Sequence, residues 1–136
     1  MSVTAYVALG SNLGDRGSYL ARARRELDAL AGVAVTAVTP VEETAPLGGL
    51  DQPPYLNQMV RLVTTLPAGA LLAACQEIER RAGRERRQRW ASRTLDLDLV
   101  RYDDLLCDTA DLTLPHAGLR DRTFWMRELA LLEDHA

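Results

Sequence analysis

The run Leu95-Asp96-Leu97-Asp98-Leu99 alternates apolar and acidic residues with a period of two, a pattern that suits a strand and not a helix. Extended, it puts three leucines on one face and two carboxylates on the other. The chain must therefore build a sheet with one face packed here and the opposite face polar. At a rise of about 3.3 Å per residue the two acid Cα atoms stand roughly 6.5 Å apart, within reach of a pair of divalent ions about 4 Å from each other. Just before this run, Arg80 to Arg93 holds seven arginines and one acid, Glu85. Planar guanidinium forks grip phosphate oxygens bidentately. Hard oxygen donors beside such a loop suggest magnesium and a nucleotide. The plain alternatives are a solvated strand face and a solvated helix end.

The remaining elements follow in order along the chain. Val3–Leu9 reads as a buried strand running into the turn Gly10-Ser11-Asn12-Leu13-Gly14-Asp15, and a helix with Leu20, Ala23, Leu27 and Leu30 at helical spacing runs from an Asp15 cap to a stop at Gly32. Arg22, Arg24 and Arg25 read as its solvated face. Val33–Thr39 suits a second strand, ending at Pro40. Thr44 to Pro54 is dense in proline and glycine, a loop long enough to suggest function, and Tyr55 and Asn57 follow it directly. Met59–Thr64 alternates as a third strand. Pro67 opens a second helix with Leu71, Leu72, Cys75 and Ile78 as its buried stripe, ending near Gly83 and carrying Gln76 and Glu79 one turn apart. Strand, helix, strand, strand, helix, strand is the βαββαβ order of ferredoxin-like domains. The expected fold is thus α+β, a ferredoxin-like antiparallel sheet with helices packed on one face. A C-terminal extension follows: an Asp103-Asp104 turn, Leu112-Thr113-Leu114-Pro115-His116, and a closing helical segment from Arg120 to Asp134 with Trp125, Leu129 and Leu132 in register.

With 136 residues the chain is expected to form a single domain, residues 1–136, around one core. Net charge is −3, so the arginine loop is a local feature of an acidic protein. Every basic side chain other than the two histidines is arginine, and the absence of lysine excludes a Walker A loop and the strand lysine of protein kinases. Cys75 and Cys107 lack partners at metal-ligand spacing and read as plain thiols. No apolar run reaches membrane-spanning length, and a cytoplasmic location with no membrane partner is expected.

Taken together, Gly10-Ser11-Asn12, Pro46-Leu47-Gly48, Asp51-Gln52-Pro53-Pro54-Tyr55-Leu56-Asn57, Arg93-Thr94-Leu95-Asp96-Leu97-Asp98, Pro115-His116 and Arg122-Thr123-Phe124 form a specific combination. On these residues the chain resembles the 6-hydroxymethyl-7,8-dihydropterin pyrophosphokinases of folate biosynthesis. The resemblance implies transfer of pyrophosphate from ATP to the hydroxymethyl group of the dihydropterin, with AMP as the leaving product. It implies two magnesium ions held by Asp96 and Asp98, and Arg84 and Arg93 as catalytic, phosphate-contacting arginines. Tyr55 and Phe124 fall at the two walls of the family's pterin slot, with Thr44, Asn57, Pro46 and Leu47 along the ring's polar edge. Gln76, Glu79, Trp90, Leu99, Thr113, His116 and Arg122 join Arg84 and Arg93 on the ATP side. The implied partners are these small molecules alone, without nucleic acid, and the expected state is a monomer.

The sequence also departs from the family pattern. Ala91-Ser92 stands where the family commonly has Gly-Pro, Glu42 where it often has an aromatic, and Asp111 and Ala117 where some members place a basic residue and an aromatic. These departures keep open a catalytically impaired relative that binds pterin or nucleotide. An RNA-binding ferredoxin-like module is the rival class, and it would need exposed stacking aromatics and an RNP1-like strand that this chain lacks.

Overall fold

The computed structural model describes residues 2–45, 54–83 and 95–133. Its centre is β1 (Val3–Ser11), whose residues from Ala5 to Ser11 are all buried because strands pair on both of its edges. Around it stand α1 (Arg16–Ala29), β2 (Val33–Val38), β3 (Glu42–Thr44), β4 (Tyr55–Thr64), α2 (Ala68–Arg81) and β5 (Asp96–Tyr102). The sheet order is β2-β4-β1-β5, with β3 continuing beside β4, and every one of these pairs is antiparallel. The chain is α+β.

Local signals start and stop the helices where expected. Asp15 caps α1 by accepting from the Ser18 amide, and Gly32 turns the chain at a positive φ of 79° that a side chain would strain. Pro67, whose missing N–H costs nothing at a helix start, precedes α2. Leu20, Ala23 and Leu27 of α1 and Leu71, Cys75 and Ile78 of α2 pack onto one sheet face, against Val7, Leu9, Val60, Leu62, Leu97 and Leu99. That face is the main core.

The opposite face is covered separately. After β5 come a short hairpin of β6 (Cys107–Asp108) and β7 (Thr113–Leu114), a 3-10 turn at Leu119–Asp121, and α3 (Thr123–Glu133). Trp125, Leu129 and Leu132 of α3 pack on Tyr6, Ala8, Met59 and Val100. The two-helix layer is thus on one face as expected, and the C-terminal extension makes a second, smaller core on the other.

Three details differ from the sequence reading. Gly10 and Ser11 are strand and not turn, because Asn57 and Leu56 of β4 pair with them and Asp96 of β5 pairs with Gly10. The stretch before the Pro/Gly-rich loop forms β3, which the local sequence does not announce. Arg22 and Arg24 are not merely solvated: Arg22 bonds Glu26 and the Arg81 carbonyl, and Arg24 donates to Gln58 at 2.5 Å. Among the described residues no helix is long and apolar enough to cross a membrane.

Candidate functional site

Directly opposed residues of neighbouring strands point to the same face of a sheet. Glu42 pairs with Asn57, Asn57 with Gly10, and Gly10 with Asp96, so one row crosses β3, β4, β1 and β5. Beside it, Met59 opposes Ala8 and Ala8 opposes Asp98, while Thr44 opposes Tyr55. Glu42, Thr44, Tyr55, Asn57, Asp96 and Asp98 therefore share the face on which α3 lies. With strands about 4.8 Å apart, the Asn57 and Asp96 backbones are roughly 10 Å from each other across Gly10. Gly10 presents no side chain between them; a Cβ there would come to 3.6 Å from both Asn57 Oδ1 and Tyr55 Cδ1.

Both acids of β5 are partly exposed, whereas Leu95, Leu97 and Leu99 are buried behind them. β5 is the sheet edge, so the outward amide of Leu97 needs a partner other than a strand. Glu79, buried at the end of α2, supplies it: its Oε2 accepts from Leu97 N at 2.7 Å. The residue between the two acids is thereby tied to the helix behind the sheet. Burial first, and then the negative charges of Glu79 and Asp98, push the Cys75 thiol up to about 12, so it is inert as a nucleophile.

The segment after β7 brings a second set of groups to the acids. The His116 amide donates to the Val100 carbonyl at 2.9 Å, docking this segment on β5. Gly118 N donates to His116 Nδ1 at 2.9 Å, which makes Nδ1 an acceptor and leaves the proton of the neutral ring on Nε2. That Nε2 stands 3.5 Å from Asp98 Oδ1. The imidazole rests edge-on against Trp125 at 5.0 Å, and the Arg122 guanidinium lies 4.5 Å over the same indole. Trp125 is a buried pedestal for both polar groups. A Cβ at Gly118, whose φ of −83° is ordinary, would meet the flexible end of the Arg122 side chain, so the guanidinium would have to shift.

Along the row toward β3, the Asn57 amide donates to the Thr44 hydroxyl and also reaches the Tyr55 carbonyl at 3.5 Å. Tyr55 is half-buried at the start of β4, and half-buried Phe124 begins α3 with its ring 6.3 Å from Trp125. Thr113, in β7, is opposite Asp108, and Gln76 is exposed on α2. Leu99 has its side chain in the core behind the sheet, so only its main chain is available to a ligand on the acid face. Of the expected site residues, Pro46, Leu47, Arg84, Trp90 and Arg93 lie outside the described residues, as does Ala91-Ser92.

The sequence reading missed Trp125 and Gly118 as parts of the site. A tryptophan at helical spacing signals core equally well, and only its contacts with His116 and Arg122 separate the two roles. A glycine two residues after a histidine could have been noticed as a site of close approach.

A family model described as 7,8-dihydro-6-hydroxymethylpterin-pyrophosphokinase matches residues 6–134. The chain is 42% identical over 130 residues to the 2-amino-4-hydroxy-6-hydroxymethyldihydropteridine pyrophosphokinase of Bacillus subtilis, covering 96% of this chain and 78% of that one. It is 39% identical over 126 residues to the protein of the same description from Methylorubrum extorquens, covering 93% and 80%. The folic acid synthesis protein fol1 of Schizosaccharomyces pombe is 38% identical over 128 residues, which are 94% of this chain and 18% of that larger one.

Proposed function

The chain belongs to the 7,8-dihydro-6-hydroxymethylpterin-pyrophosphokinase family, and we propose from that premise how its residues divide the work of pyrophosphoryl transfer. The reaction moves the pyrophosphoryl group of ATP onto the hydroxymethyl group of 6-hydroxymethyl-7,8-dihydropterin, a step of folate synthesis. The observation that carries the assignment is the row Glu42–Asn57–Gly10–Asp96, which supports a pterin held at one end of a single sheet face and a triphosphate at the other.

At the pterin end, Tyr55 and Phe124 stack on the ring, worth about 1 kcal/mol beyond burial. With its amide engaged by Thr44, Asn57 has its Oδ1 left to accept from a ring N–H. An analogue lacking that donor would leave a buried carbonyl unpaired, at a cost of roughly 1–3 kcal/mol. Main-chain groups of Pro46 and Leu47 complete this edge.

At the phosphate end, Asp96 and Asp98 would hold two magnesium ions. The donor set fits such ions: two hard carboxylates two residues apart on one face, partly exposed, with the strand between them anchored by Glu79. Magnesium, when bound, would neutralise triphosphate charge and ease ionisation of the attacking hydroxyl. His116 Nε2–H and Arg122, both braced on Trp125, donate to phosphate oxygens. Arg84 and Arg93 cover the leaving side and exclude water, and Gln76, Trp90, Thr113 and the Leu99 main chain contact the nucleoside. The strand order and its antiparallel pairs support a ferredoxin-like reading of the sheet, and the chain acts as a single-domain monomer in the cytoplasm.

The test is to supply purified protein with ATP, magnesium and 6-hydroxymethyl-7,8-dihydropterin and to assay AMP and pterin diphosphate. Stoichiometric, magnesium-dependent release of both is expected. Binding of either substrate without AMP release would overturn the catalytic reading.

A further inference from the structure

A cation opens α1, at the end of a helix where the peptide dipoles favour an anion. Arg16 is the first residue of α1, directly after the Asp15 cap. Its guanidinium reaches two distant parts of the chain. Nη1 donates to the Pro54 carbonyl at 2.8 Å, and Nη2 donates to Glu43 Oε2 at 3.4 Å. Glu43 is the middle residue of β3, and Pro54 immediately precedes β4.

Those two places frame a pair of residues at the pterin end. Thr44 opposes Tyr55 as the last pair of the β3–β4 ladder, so Glu43 and Pro54 are each the chain neighbour of one member. β3 has three residues, and a ladder that short frays readily, from its last pair inward. Side chains alternate across a strand, so Glu43 lies on the face opposite to Thr44, and it opposes Leu56, which packs against the core beneath α1 and α2. Arg16 thus fastens the ladder end from behind and leaves the Thr44 and Tyr55 face clear. The two bonds differ in weight. Glu43 is 56% exposed, and so open an ion pair is screened, whereas the charge-assisted bond to the Pro54 carbonyl is short. Leu20, Ala23 and Leu27 of α1 are fully buried, so Arg16 works from a rigid base.

We propose that Arg16 is a positioning residue for the dihydropterin: one guanidinium ties β3 to the start of β4 and so sets the spacing of Thr44 and Tyr55 beside the ring. This rests on the pterin reading given above. Arg16 touches no substrate in this role, and the proposed ATP end stands on other elements, α2, β5 and the segment after β7. A lysine would keep the charge but lose the planar fork that serves both acceptors.

Two measurements on the full chain separate the fastening from the ligand. Hydrogen exchange followed by NMR in ligand-free protein should show the β3–β4 ladder amides exchanging about tenfold faster in Arg16→Ala, with Val60 and Leu62 of β4 unchanged. Equal exchange in both proteins would overturn the fastening. Steady-state kinetics with each substrate varied in turn should show the KM for 6-hydroxymethyl-7,8-dihydropterin about tenfold higher in Arg16→Ala, with kcat and the KM for ATP within about twofold. Glu43→Gln, which keeps the Pro54 bond, should stay within about threefold of wild type. An unchanged dihydropterin KM in Arg16→Ala, or an equal rise in both KM values, would overturn the positioning role. A dihydropterin KM in Arg16→Lys equal to that of wild type would overturn the two-pronged tie. Wild type that binds no dihydropterin in fluorescence titration, with ladder exchange still faster in Arg16→Ala, would uphold the fastening and overturn the pterin slot.

Discussion

Asp98 and Glu79 differ in kind although both are acids at the same end of the sheet. Asp98 is partly exposed beside His116, whereas Glu79 is buried and accepts from the Leu97 amide. Asp98→Ala should lower turnover at least about a hundredfold while leaving dihydropterin affinity within a few fold, because the proposed pterin end is built on other strands. Steady-state AMP release together with fluorescence titration of the pterin checks this. Glu79→Ala leaves the Leu97 N–H without its acceptor, which costs roughly 1–3 kcal/mol of stability. A urea titration should therefore show a lower midpoint for Glu79→Ala, whereas the exposed carboxylate of Asp98 can be removed with little change.

At the level of elements, the segment from β7 to the start of α3 behaves as one part. His116 is docked on Val100 through the main chain, its ring is oriented by the Gly118 amide, and Trp125 supports His116 and Arg122 together. A Cβ at Gly118 displaces the Arg122 guanidinium and comes to 3.3 Å from His116 Nδ1. Gly118→Ala is expected to raise the KM for ATP about tenfold, corresponding to roughly 1.4 kcal/mol, with the pterin KM unchanged. Steady-state kinetics with each substrate varied in turn reads this, and an equal rise in both would contradict a nucleotide-side role for the segment.

For the whole molecule, the two cores on opposite sheet faces make the stability depend on pH through Glu128. Its carboxyl is raised from 4.5 to about 7, so over that interval the folded chain holds a proton that the unfolded chain has released. Stability is therefore fullest below about pH 4.5 as far as this group is concerned, falls as pH rises, and has lost the contribution above about pH 7. Glu128→Gln removes the titration. The gap in unfolding free energy between Glu128→Gln and wild type should widen in favour of the variant by on the order of 1–3 kcal/mol from pH 5 to pH 8, measured by urea denaturation. A gap independent of pH would contradict the assignment.

Much of this protein is written locally. The period-two run at Asp96 and Asp98, the Asp15 cap, the Pro67 start and the helical spacing of Trp125, Leu129 and Leu132 are short-range physics, and each element forms where those signals lie. The element order and the acid pair on one strand face were legible for the same reason. β3, the β6–β7 hairpin and the strand character of Gly10 and Ser11 were not, because two- or three-residue strands and a glycine take their conformation from the partner alongside. Nor could the sequence tell that Glu128, a charged residue on a helix, is buried. Spacing dictated which residues share the face of their own strand or helix; only the assembled sheet decided which faces meet, because register is set by cross-strand pairing and by how α3 closes over β1 and β4, distances the chain's local order does not encode.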